Sequence, residues 1–531
     1  MPHRMTQAAV AVYALLHLAG WYWPAELWGV DQLHYYGSVV ALAFAALCVS
    51  AIAAGHSQSV ARLDRRAVLT VRSLHLQARY ANTAKVVGLL SCVGLAYLLR
   101  VREHLLGDSD KWFQLLGKAP DLSQIISTLG HGELPTLPEV PLFESLDFLL
   151  HLGVYLILHP LFGWSESDAY LWLSLLAGAF YVAALWRLAP LLTQGAAEQA
   201  TVLLLGLCLG SAQLFLGYGE SYTLVAAATT WFFVHALLGL RGASLARPTA
   251  VLMLCLALHM MSIGLLPAWV YLAWVKAGRP MRTAIRSPRV WVLLVTPAVL
   301  VGGVLYVYVY PYALPLLPSA SVETHSLFAG SHLALMGNAI LLISPFGLLW
   351  GASLHHRARH APAALVLLWA SVGTGAVVFL TDASLGGRDW DMLSYPALCY
   401  SLGGIASLHV HPRRRSYLRI LRWTVIPIVS CHTLLWVGIN ASEDRALARL
   451  ENLLQYANLP EHYRHWTLGF YYTNILEQQY DKAVYHFTAA VTATPPDVLL
   501  VPHTRPYSYR KFLAISLGLN DQLEACVEQS R

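Results

Sequence analysis

Two carboxylates stand two residues apart in Leu106-Gly-Asp108-Ser-Asp110-Lys-Trp112, where a polar stretch follows an apolar run. On a loop, Asp108 and Asp110 can converge on one hydroxyl, hold a cation, or point to opposite faces of the chain, and the spacing does not choose. A carboxylate beside a low-dielectric region has a raised pKa and can take a proton from an attacking hydroxyl. The plain alternative is a wet loop that caps the helix following it near Lys111.

Three more clusters carry chemistry. In Pro141-Leu-Phe-Glu144-Ser-Leu-Asp147-Phe-Leu-Leu-His151 the pair Asp147 and His151, four apart, shares a helix face, with Glu144 one turn earlier. Without a function these residues form the polar stripe of an interfacial helix. Gly217-Tyr-Gly-Glu220-Ser-Tyr222 sets an acid in a short turn between apolar runs, where a charge needs a partner or a task unless it caps a helix in water. In Gly386-Gly-Arg388-Asp389-Trp390-Asp391, Arg388 offers a planar donor fork suited to a phosphate. Trp390 can stack on a sugar or anchor a helix at a membrane interface, and Asp389 and Asp391 can shape a pocket. The bland reading is an interfacial Arg-Asp pair with a belt tryptophan. His259, inside an apolar stretch, reads either as a satisfied buried histidine or as a substrate contact.

The elements that must position these residues follow from composition. Hydrophobic residues make up 57% of the 531 positions and charged ones 12%; mean hydropathy is +0.52. These values exclude an ordinary soluble domain and predict an all-α, polytopic transmembrane helical bundle. Apolar runs long enough to span occur at 8–23, 36–54, 84–100, 169–188, 198–217, 221–240, 289–311, 333–353, 361–380, 391–409 and 421–440. The stretch 248–277, interrupted by His259, Gly264 and Pro267, reads as two short helices, which brings the expected spans to about 13.

Orientation comes from the basic loops, since Lys and Arg near span ends stay cytoplasmic. Arg62, Arg65, Arg66, Arg72 and Arg79 form one such loop, Lys276, Arg279, Arg282, Arg286 and Arg289 a second, and Arg413, Arg414, Arg415, Arg419 and Arg422 a third. The N-terminus is then cytoplasmic, and the outer loop 101–168, the turn 218–220, loops 312–332 and 381–390 and the C-terminal tail lie outside. Parity requires that Leu146 to Phe162 lie in the interface rather than cross. Because most basic residues serve topology, the net charge of +6 does not point to nucleic acid. Six of the seven cysteines fall within apolar runs, so neither a disulfide framework nor a metal-ligand spacing emerges.

Residues 1–440 form the expected membrane domain and 441–531 a soluble α-helical tail. In that tail Trp466-Thr-Leu-Gly-Phe-Tyr-Tyr472 and Ala483, Phe487 and Ala490, followed by Pro495, resemble a tetratricopeptide helical hairpin, although Tyr471 stands where glycine is usual. A single hairpin cannot bury its own face, so it must pack on 497–531 or on the membrane domain.

The run Pro141 to Trp164, apolar, Leu-rich and aromatic and ending in Phe162-Gly163, is similar to an outer interfacial helix of the GT-C superfamily of membrane glycosyltransferases, in its protein mannosyltransferase and aminoarabinose transferase branches. The turn Phe215-Leu-Gly-Tyr-Gly-Glu220-Ser-Tyr222 resembles that family's outer turn, and the likeness of layout covers roughly 84–410. Where those branches usually carry adjacent acids, this chain has Asp108-Ser-Asp110. The basic-loop rule fits a bacterial inner membrane and an endoplasmic reticulum membrane alike, and the compact loops point to a multi-pass protein of the bacterial one; the resemblance implies the activity. Such a protein would transfer a hexosyl or pentosyl group, with inversion, from a polyprenyl-phosphate-linked donor to a hydroxyl of a protein, lipid or glycan acceptor. Asp108 or Asp110 would be the base and Arg388 the phosphate ligand. Glu144, Asp147, His151, Glu220, His259, Asp389, Trp390 and Asp391 would line the substrate, with the part of a divalent metal left open. The rival classes are a transporter or flippase built on the broken helices near Gly264 and Pro267, and a scaffold that recruits partners through its tail.

Overall fold

The computed structural model describes residues 2–76, 81–107, 109–120, 141–278, 326–344, 361–381, 386–409, 414–456, 461–474 and 479–494, with the isolated positions 127, 347 and 517–518. The expected span 289–311, the aspartate Asp108 and most of the chain after Pro495 fall outside the described residues. So do Arg79, Arg279, Arg282, Arg286, Arg289 and Arg413 of the basic loops.

Helices α1 (Pro2–Tyr22), α2 (Ser38–His56), α3 (Gln58–Leu76), α4 (Ala81–Leu98) and α5 (Ser109–Gly117) open the chain. They are followed by α6 (Ser145–Phe162), α7 (Glu166–Leu192), α8 (Ala196–Leu207), α9 (Tyr222–Leu240), α10 (Ala246–Leu258), α11 (Leu266–Lys276) and α12 (Gly330–Ile343). The rest are α13 (Pro362–Leu380), α14 (Trp390–His409), α15 (Arg414–Ile420), α16 (Ile426–Asn440), α17 (Glu443–Tyr456), α18 (Glu461–Asn474) and α19 (Tyr480–Thr492). The molecule is an all-α polytopic membrane protein, with six helices among the described residues long and apolar enough to cross a bilayer. Leu42, Val49, Leu90, Phe180, Met253 and Leu434 point outward without protein cover, as lipid-facing positions do.

Several sequence expectations change. The basic loop after α2 is the amphipathic helix α3, because Asp64 on its inner side takes a bidentate pair from Arg422, at 2.8 and 2.9 Å, and an indole N–H from Trp423 at 2.9 Å. The run 198–217 is not one span. Its helix stops at Leu207, where the Thr433 hydroxyl donates to the Cys208 carbonyl at 2.6 Å in place of a helical amide, and a 3-10 stretch follows over Gly210–Phe215. The stretch 248–277 does break at His259, whose extended backbone ends α10 while its Nδ1 accepts the Met261 N–H at 3.1 Å. The 3-10 turn Met260–Leu265 then packs backbone to backbone on α13, since a Cβ on Gly373 would come within 2.1 Å of the Gly264 carbonyl oxygen.

By length and composition α6 could cross a membrane. It packs on α10 and, through a small core of Trp112, Leu116, Phe148, Leu152, Tyr155, Ala169 and Tyr170, on α5 and the first turns of α7. It ends at Gly163 in the left-handed conformation, and α7 starts at once under a reciprocal Ser165 and Asp168 capping box.

The helices separate two ends. The basic end holds the Asp64 and Arg422 pair and the Arg241 bond to the Leu191 carbonyl. The opposite end gathers the loop 23–37, residues 101–107, the turn 216–221 and the 3-10 turn Gly386–Asp389. Helix α17 is fixed to that end by a fully buried ion pair: Arg449 Nε lies 3.1 Å from Asp31 Oδ2, and Arg449 Nη2 donates to the Trp28 carbonyl at 2.8 Å. Burial pushes the Asp31 carboxyl up to about 6 despite the pull of Arg449. Arg449→Met alone or Asp31→Asn alone strands a buried partner and is expected to remove about 3–5 kcal/mol of stability, while the double variant recovers part of it. Thermal unfolding in detergent checks this, and additive losses in the double variant would contradict it.

Candidate functional site

The site is built where residues 101–107 meet the turn after Phe215 and the start of α14. The Gly107 N–H donates to the Arg388 carbonyl at 3.1 Å, and Arg388 Nη2 returns a contact to the Gly107 carbonyl at 3.4 Å. Gly107 has a φ of +71°, and a Cβ there would lie 2.3 Å from Glu220 Oε1 and 3.0 Å from the Tyr218 hydroxyl. Only glycine therefore satisfies both the left-handed backbone and the carboxylate pressed against it. Trp112, on α5, donates its indole N–H to Glu220 Oε2 at 3.1 Å, and Trp390 donates to the Tyr218 hydroxyl at 3.0 Å.

Around this knot the acids converge. The Tyr222 hydroxyl lies within electrostatic reach of Asp391, Glu144, Asp389 and Glu220, and that of Tyr170 within reach of Asp147, Glu220 and Glu144. His259 Nε2 is 3.3 Å from Glu144 Oε1, and its ring lies against Tyr222 with centroids 4.6 Å apart. His151 Nδ1 is 2.8 Å from the Asp147 carbonyl and 3.1 Å from Asp147 Oδ2, so Nδ1 carries a proton toward these two acceptors. The His151 ring stacks on Tyr170 at 3.8 Å. Asp147 Oδ1 and His151 Nε2 are buried polar atoms with no hydrogen bond among the described residues. Burial, with Asp391 and Glu220 adding to it, holds the Tyr218 phenol well above its usual range, so it stays protonated.

The structure thus brings together Glu144, Asp147, His151, Glu220, His259, Arg388, Asp389 and Asp391 from four separate stretches of chain. Asp391, Glu220 and Arg388 are buried, and Asp389 is partly exposed. Trp390 departs from its expected part. It is fully buried, in T-shaped contact with Tyr218 at 5.1 Å and with Trp436 at 5.4 Å, so neither face is offered to a sugar. Asp108 lies outside the described residues; Asp110 is in the first turn of α5, with its side chain also outside them. Among the described residues no three His, Cys, Asp or Glu side chains are grouped to hold a metal ion. Tyr170, Tyr218 and Tyr222 were not singled out by sequence, although two of them flank Glu220. Their common signal is an aromatic hydroxyl beside an acid at the end of an apolar run.

An apolar cavity of about 450 Å³ lies between α12, α13 and α14, lined among others by Met336, Phe379, Leu393, Pro396, Tyr400 and Gly403. Leu393 and Ser407 mark its extent along α14, about 21 Å at 1.5 Å per residue.

No family model matches the chain, and no curated protein matches it. Two solved structures show a partial likeness. The crystal structure of ArnT from Cupriavidus metallidurans in the apo state has 16% identity and a TM-score of 0.37, covering 83% of this chain and 76% of that one. The structure of the same protein bound to undecaprenyl phosphate has 16% identity and a TM-score of 0.40, covering 83% of this chain and 89% of that one.

His104, in the strand of chain leading to Gly107, has an Nδ1 sealed from solvent, and burial lowers the ring to about 4. A base whose folded pKa falls below its unfolded value loses stability as pH drops from about 6.5 toward 4. Unfolding of the wild type is therefore expected to become easier across that window, and His104→Gln to flatten the dependence. Gly107→Ala is expected to lower activity at least about 10-fold by displacing Glu220, at little change in expression. Wild-type turnover from Gly107→Ala would refute this geometry.

Proposed function

We propose that the chain is a GT-C-type membrane glycosyltransferase that moves a sugar from a polyprenyl-phosphate-linked donor to an acceptor hydroxyl at the extracytoplasmic face, with inversion. The observation that carries this reading is the meeting of one arginine and a group of carboxylates at one end of the bundle; an apolar cavity lies along the same helix α14. A prenyl chain fits an apolar space along α14, and its phosphate would then reach the level of Arg388 and Asp391.

In the step itself the acceptor oxygen attacks the anomeric carbon and its proton passes to a base. The bond from that carbon to the phosphate oxygen breaks, and the polyprenyl phosphate leaves as an anion. A guanidinium near the leaving oxygens stabilises the charge that develops there. Asp108 or Asp110 fills the part of base in the sequence reading. Asp147 and His151 supply a second arrangement, a carboxylate that orients an imidazole and leaves its Nε2 able to accept a proton. Glu220, held by Trp112, and Glu144, near His259, would bind sugar hydroxyls. The Tyr218 hydroxyl among these acids stays protonated and can donate to the same groups.

Transfer from a lipid-linked sugar should fall about 100-fold or more in Arg388→Ala, and by a similar factor in whichever of Asp108→Asn, Asp110→Asn and Asp147→Asn removes the base. Full transfer in both loop variants with loss in Asp147→Asn would move the base to the Asp147 and His151 pair. Absence of any transfer by the intact protein, together with lipid movement across reconstituted vesicles, would replace the reading with a transporter.

A further inference from the structure

We propose that Tyr471, in the C-terminal tail, is a positioning residue for Arg388, so that the tail is part of the phosphate-binding site rather than an attached module. This rests on the transferase reading above. Arg388 Nη2 donates to the Tyr471 hydroxyl at 2.5 Å, and the guanidinium carbon stands 5.6 Å from the centre of the Tyr471 ring. The two residues are 83 positions apart, and both are buried, Arg388 at 6% exposure and Tyr471 at 4%.

Tyr471 is itself held from two sides. Phe487 of α19 closes on Gly469 in the same helix, where an added Cβ would be 2.9 Å from the ring. Helix α17 packs on α18 and is fixed by Arg449 to Asp31 and by Asn452 to the Tyr35 hydroxyl at 3.0 Å. Leu453 of α17 also presses on Gly387, the neighbour of Arg388. The tail therefore touches the phosphate-binding turn at two consecutive residues.

An arginine side chain has several free torsions, and a guanidinium already fixed before its ligand arrives loses less freedom on binding. The Tyr471 hydroxyl and the Gly107 carbonyl are neutral acceptors. They orient the fork through neutral oxygens. Tyr471 thus acts through Arg388 on an anionic ligand.

The test uses the full-length protein in detergent, a polyprenyl phosphate without sugar as the binding probe, and the lipid-linked sugar for kinetics. Tyr471→Phe keeps the ring and removes the hydroxyl; Tyr471→Ala removes both. Probe affinity is expected to fall about 10-fold in Tyr471→Phe, the scale of a hydrogen bond to a charged group, and further in Tyr471→Ala. KM for the donor should rise by the same factor while kcat at saturating donor changes less than about two-fold. In an Arg388→Ala background the added Tyr471→Phe change should have no further effect. A Tyr471→Phe loss that persists undiminished in that background marks a structural role and overturns the proposal. So does wild-type binding by both Tyr471 variants when Arg388→Ala binds weakly. Wild-type binding by Arg388→Ala would instead refute the phosphate reading of Arg388, and the proposal would fall with it.

Discussion

Gly107 and Arg388 are 281 residues apart, yet their backbones and the Arg388 side chain are tied by reciprocal hydrogen bonds. Most of the site depends on that clip. It brings the chain after α4 against the start of α14, and the room it leaves is so small that Glu220 touches the glycine directly. Once Gly107 is fixed, α5 must begin two residues later, and Trp112 is delivered to Glu220. The clip also sets the height at which Arg388 meets the tail.

A bundle of apolar helices makes such contacts selective. Away from water an unpaired charge or dipole is costly, so polar groups find partners across large sequence separations. Asp31 with Arg449 and Asp64 with Arg422 are of this kind, one at each end of the bundle. Between them His432 Nε2 lies 2.7 Å from the Leu342 carbonyl, and its Nδ1 lies 2.9 Å from His17 Nε2. The Asp147 and His151 atoms that lack a hydrogen bond among the described residues lie with the other acids.

The break at His259 and the short turns at 217–221 and 386–389 have a common effect. Each stops a helix below the end of the bundle and puts polar side chains where the apolar cover is thinnest. His259 ends α10 opposite Glu144, and Glu220 and Asp391 sit within a residue or two of a helix start. The polar region and the apolar cavity share helix α14, and the two together suit a ligand with an anionic head and a greasy tail.

The sequence by itself determined the class of solvent, the helical architecture and the four acidic or basic clusters, because hydropathy and composition act locally. It marked the break at His259 for the same reason, since histidine, glycine and proline interrupt an apolar run wherever they fall. The amphipathic helix α3 was hidden because its arginines read equally well as a loop; its inner face is defined by Asp64 meeting Arg422, 358 residues away. Trp390 carried the signature of a sugar platform or a belt tryptophan, and only the packing of Tyr218 and Trp436 on it decides that it is core. The joining of Glu144, Asp147, Glu220, His259 and Asp391 into one cluster, and the arrival of Tyr471 at Arg388, belong to the tertiary structure. Spacing along the chain carries no information about which loops share an end of the bundle at hydrogen-bonding distance, and that is settled by helix packing and by the need to pair buried polar groups.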